Sequence, residues 1–149
     1  MPQRGSFASL REKFTNKTES RITNLLRIIG NLEEMSDECY GISRLLEKSV
    51  RKDCVFQENQ MSELIPYVSL VEEFLSLLKD QLGHKPALKQ KARAAEIEDG
   101  IDKNRKKLNK MGRKRIEAGG NVRSELLFID MVRRIEKLGD YCFDIAGAI

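Results

Sequence analysis

The chain reads as all-α, an antiparallel four-helix bundle of spectrin-like up-down helices, and three observations predict this. Charged residues make up 34% of its 149 residues and aromatics only 6%, with no Trp, a mixture that suits long charged helices better than sheets. Apolar residues recur in steps of three and four, the period of a helix face. Turn-forming residues fall between the periodic stretches, at Gly83-His84-Lys85-Pro86 and at Gly119-Gly120.

Residues 1–15 are polar and weakly periodic, and are expected to form a flexible N-terminal segment ahead of a bundle over 16–149. Asn16-x-x-Glu19 resembles a capping box and opens helix 1, about 16–50. Its seam is Ile22, Leu25, Ile29, Leu32, Ser36, Cys39, Ser43 and Leu46. A polar bend around Arg51 to Cys54 leads to helix 2, about 57–82, carried by Met61, Leu64, Ile65, Val68, Val71, Leu75 and Leu78. Pro66 marks either a kink or the true start of that helix. Helix 3, about 87–118, is the most polar, with a sparse apolar side of Ala92, Ala95, Ile97, Ile101, Leu108, Met111 and Ile116. Helix 4, about 121–148, repeats the first seam as Phe128, Val132, Ile135, Gly139, Cys142, Ala146 and Ile149. Small residues stand at matching places in both seams, where another helix can come close.

The chain has the size of one ordinary domain. A net charge of +4 is only mildly basic and names no polyanionic partner. Three cysteines without close spacing argue against a disulfide scaffold and a paired-cysteine zinc site, and for a reducing compartment. Cys39 and Cys142 are expected as core thiols, with Cys54 in a loop. No apolar run reaches the ~20 residues that span a bilayer, and the first residues lack the apolar core of a signal peptide.

Two stretches say nearly the same thing. Leu32-Glu33-Glu34-Met35-Ser36-Asp37-Glu38-Cys39-Tyr40-Gly41-Ile42 returns 103 residues later as Ile135-Glu136-Lys137-Leu138-Gly139-Asp140-Tyr141-Cys142-Phe143-Asp144-Ile145. Each holds a Glu and an Asp four apart, one helical turn from each other on one face. Helix 3 offers a third pair, Glu98 and Asp102. Carboxylates beside a packed seam must be neutralised by protons, by Lys or Arg, or by a metal ion. Without neighbouring histidines they select hard ions such as Mg, Ca, Mn or iron over zinc. The same spacing equally suits solvated salt bridges along a charged helix.

The segment Ile135 to Asp140, followed by Asp144-Ile145-Ala146, resembles the "Leu-Glu-Arg-Ile-Gly-Asp…Asn-Ile-Ala" signature that closes each three-helix repeat of the PhoU family. Leu25 to Glu33 is similar to the same helix of a first repeat, as found in the C-terminal part of bacterial sodium-dependent phosphate cotransporters. Ile97-Glu98-Asp99-Gly100-Ile101-Asp102 is similar to the start of the middle helix. The resemblance covers about Thr18 to Ala148 and makes helix 1 the end of one repeat and helices 2 to 4 a complete second one. It implies a truncated piece of a longer protein, a cytoplasmic regulatory domain tied to a transporter membrane domain or a phosphate-signalling protein. It further implies metal ligands at Glu136 and Asp140, Glu33 and Asp37, and Glu98 and Asp102. Departures are Glu34 and Lys137 for the family's Arg, Ser36 for its Gly, and Gly41 and Asp144 for its Asn. The first copy is therefore the weaker site.

Lys103 to Arg115 is a dense basic run, suited to an anionic membrane surface or to a solvated face balanced by nearby acids. No aromatic interleaving or helix-turn-helix pattern accompanies it, so nucleic acid is not the expected partner. His84 stands alone, no Ser or Cys lies near a base, and no Gly-rich phosphate loop occurs. The chain is expected not to be an enzyme. A metal-free helical scaffold for dimerisation or protein binding is the alternative reading.

Overall fold

The computed structural model describes residues 4–149, with side-chain surroundings from residue 6 onward. Those residues form four helices and no strand: α1 (Arg4–Arg51), α2 (Glu58–Gln81), α3 (Leu88–Glu117) and α4 (Val122–Ala148). The three later helices fall within a residue or two of the spans expected from periodicity. The first does not. It starts at Arg4, so residues 4–15 continue the helix, and Asn16 and Glu19 lie inside it rather than at its cap. Between Ser6 and Arg51 no Pro occurs and Gly appears only at Gly30 and Gly41, so nothing in the sequence stops propagation toward the N-terminus. Residues 1–3 of the expected N-terminal segment lie outside the described residues.

Local chemistry fixes the other boundaries. The Gln60 side chain accepts from the Gln57 backbone N–H at 2.8 Å and Gln90 from Ala87 at 3.0 Å, each satisfying a donor left orphaned at a helix start. Asn121 caps α4 by accepting from the Ser124 N–H at 3.1 Å. At the end of α3, Gly119 takes φ +87, a left-handed conformation open to glycine, and the Gly120 N–H closes on the Arg115 carbonyl at 2.8 Å. Pro66 sits inside α2, past its first turn, and neither begins nor ends it.

α4 is the hub, packing against each of the other helices, while α2 and α3 also pack on each other. Among the described residues α1 packs on α4 alone. Arg27 meets Asp144 whereas Glu38 meets Arg134, so α1 and α4 run in opposite directions. Gln60 meets Ser124 and Tyr67 meets Val132, so α2 runs with α4. Arg115 meets Glu125 and Arg105 meets Glu136, so α3 runs against it. The core is built from Tyr67, Phe74, Ile97, Ile101, Phe128, Val132 and Cys142 between α2, α3 and α4, all nearly inaccessible to solvent. Removing such side chains from water is the main favourable term in folding.

Helix 1 corrects the sequence reading of its seam. Ile22, Leu25, Ile29, Leu32 and Leu46 are all exposed, and α1 instead buries Ile28, Met35 and Leu45 against α4. Cys39 is exposed with that seam, whereas Cys142 and the loop thiol Cys54 are buried. The matching positions of α4, Phe128, Val132, Ile135, Gly139 and Cys142, are buried. The same motif is covered in one copy and bare in the other because α2 and α3 pack on α4 and not on α1.

Candidate functional site

The second motif places Glu136 and Asp140 on the side of α4 that faces α3. There they come under the field of Glu98 and Asp102 from α3, with Arg105 between them. Arg105 Nε lies 2.7 Å from Glu136 Oε1, and the same guanidinium donates to Asp102 at 3.0 Å. Lys106 adds a second cation on Asp102 at 2.9 Å. Ile101 lies directly beneath. Its atoms come within 3.0 and 3.2 Å of where a Cβ on Gly139 would stand, so the glycine lets α3 and α4 approach at this level.

Charge in this seam is unevenly matched. Partial burial raises the carboxyl pKa of Glu98, with Asp140, Asp102 and Glu136 adding like-charge repulsion. Glu136 and Asp140 are raised for the same first reason, Arg105 opposing the shift in both. Asp102 goes the other way, held low by its hydrogen bonds to Lys106 and Arg105. Glu98 Oε2 is shut off from solvent without a hydrogen-bond partner. Close by, burial pushes the Cys142 thiol up to about 12, with the Glu98 charge a smaller cause. It also raises the Tyr67 phenol, whose O–H points at the Val132 carbonyl. These groups stay protonated at neutral pH, which suits a structural role rather than a nucleophilic one.

The six carboxylates suggested by the sequence are therefore divided. Glu98, Asp102, Glu136 and Asp140 are brought together at the α3–α4 seam, while Glu33 and Asp37 stand exposed on α1, among exposed apolar residues. Among the described residues no three His, Cys, Asp or Glu side chains are grouped to hold an ion, and Arg105 sets a positive charge against Glu136 and Asp102.

A second network went unnoticed in the sequence. Arg115, from the basic run, turns inward and binds Glu63 of α2 at 2.9 Å and Glu125 of α4 at 2.7 Å, its guanidinium 4.7 Å from the centre of the Phe128 ring. One cation thus joins three helices, and its partners are 17% and 6% exposed. Its only sequence signal is an arginine within a run that looks uniformly solvated. The run is in fact sorted: Arg115 points into the fold, Arg105 reaches Glu136 from the rim of an open surface hollow, and Lys106, Lys110, Arg113 and Lys114 line that hollow with Asn109 and Glu117. On the opposite side of α4, Glu38 meets Arg134 at 3.4 Å and Lys137 at 3.3 Å, and Asn31 donates to Asp144 at 2.5 Å.

The fold and its polar contacts define a helical domain with a carboxylate–arginine cluster along one seam and an unpartnered apolar face on its longest helix. Among the described residues no helix is long and apolar enough to cross a membrane. Compared with family models, with curated proteins and with solved structures, the chain matches none.

Proposed function

We propose that the chain is a PhoU-like regulatory module of phosphate transport, acting by helix packing rather than by catalysis. In this reading it belongs at the cytosolic side of a sodium-dependent phosphate cotransporter or with a phosphate-signalling partner. The observation that carries the reading is the gathering of Glu136 and Asp140 with Glu98 and Asp102, the four motif carboxylates that the resemblance assigns to the second repeat. Support comes also from the doubled closing motif, whose frame of Leu/Ile, Glu, Asp and Cys is kept in α1 and α4. Arg105 is then the counter-charge that holds α3 on α4, and the open basic surface of α3 is the face turned to anionic headgroups.

Deleting this segment in the cells that make it should change the rate of radiolabelled phosphate uptake, and re-expression of the intact protein should restore it. Unchanged uptake would remove phosphate transport from the reading. Elemental analysis of chelator-free protein should find no stoichiometric metal. Iron or manganese bound one to one, and lost in Glu136→Gln/Asp140→Asn, would instead make these carboxylates metal ligands.

A further inference from the structure

Two unpartnered features of the molecule match each other. The first is the start of α1. Every residue from Ser6 to Thr23 is exposed, and Phe7, Leu10 and Phe14 are 74%, 60% and 76% accessible. Their spacing puts them on one helix face. α4 ends beside Arg21, Asn24 and Leu25, so this arm runs on past the bundle with nothing among the described residues to pack against.

The second is a groove. α1 and α2 both flank α4 without packing on each other, and the channel between them has Ile42 and Leu46 on one wall, Ile65 and Val68 on the other, and Met131 and Ile135 as floor. Leu46, Ile65 and Val68 remain 46%, 58% and 37% exposed along it. The hydrophobic effect favours covering such surface.

We infer that the groove takes the α1 arm of a second copy of this chain, the two α1 helices running in opposite directions about a two-fold axis near Leu25. Length fits, since Ser6–Thr23 and the stretch 27–44 that it faces about this axis each span about 27 Å at 1.5 Å per residue. Shape fits too. The axis sets Phe14 opposite Ser36 and Phe7 opposite Ser43, so large side chains meet the small residues of the bare seam. Charge chooses the direction: the arm carries Arg11, Lys13, Lys17 and Arg21 against Glu12 and Glu19, while the stretch 27–44 carries Glu33, Glu34, Asp37 and Glu38 against Arg27 and Arg44. Parallel helices would align like with like, whereas opposed ones set basic arm against acidic middle. Each copy gives one arm and receives one, so the assembly closes at two.

Analytical ultracentrifugation of the full chain at micromolar concentration should give twice the 17.1 kDa chain mass, and Phe7→Lys/Phe14→Lys should return the monomer with unchanged helical circular dichroism, the altered residues being exposed. Oxidation should crosslink an Arg11→Cys variant through its Cys39, which the axis brings near position 11 of the other copy, but should not crosslink the unaltered chain. A monomeric parent, a dimer that survives the double substitution, or rapid Cys39-to-Cys39 crosslinking in the unaltered chain would each overturn the arrangement.

Discussion

At the scale of single residues, Glu98 is the most exposed to test by pH. Its carboxyl pKa is raised above the ordinary 4.5 by burial and by three neighbouring carboxylates. A raised folded-state pKa means that the folded protein binds the proton more tightly than the unfolded chain. As pH falls from neutral through the raised value toward 4.5, Glu98 therefore adds stability, and above that window its charge is a fixed cost. Glu98→Gln should melt at a higher temperature than the parent at neutral pH, and the difference should shrink as pH approaches 4.5. A variant less stable at neutral pH would show that the charge is compensated. The spacing of Glu98 and Asp102 was legible in the sequence. The identity of their counter-ion was not, because Arg105 looks no different from the lysines beside it until α4 is in place.

At the scale of elements, the best measure of how α3 is held is Arg115. Its side chain is 20% exposed and its two carboxylate partners are less so. Removing one member of a buried pair leaves the others uncompensated, a loss of about 3 kcal/mol. Arg115→Ala should therefore lower the urea midpoint without changing the slope of the transition, whereas the same change at exposed Lys110 should stay within about 0.5 kcal/mol. The helices themselves were readable from their period and their stop signals, and α2, α3 and α4 lie close to the expected spans. Two things were not readable. One is the start of α1, because helical propensity persists where amphipathic pattern fades. The other is which side of α1 is buried: its heptad seam has the stronger apolar pattern, yet α4 takes the neighbouring face carrying Ile28, Met35 and Leu45. Periodicity identifies a face fit for packing and leaves open whether a partner is there to pack on it.

At the scale of the whole molecule, the arrangement around α4 predicts a single cooperative transition for α2, α3 and α4. Phe128 is fully buried, lies against Gly112 of α3 and under the Arg115 guanidinium. Truncating a buried Phe costs about 3–5 kcal/mol, so Phe128→Ala should lower the melting temperature by roughly 10 °C for a domain of this size. Circular dichroism and Tyr fluorescence should report the same midpoint, since Tyr67 shares that core. Separate transitions would mean that α4 does not couple its neighbours.

The central position of α4 also bears on how the protein is made. A ribosome emits α1 first and α4 last of the four, so α1 leaves the exit tunnel with its one packing partner among the described residues still unsynthesised. For that interval Ile22, Leu25, Ile28, Ile29, Leu32 and Met35 are all uncovered together, a wider apolar band than the finished protein ever shows. Nascent α1 thus carries this whole band in water until α4 arrives to cover Ile28 and Met35.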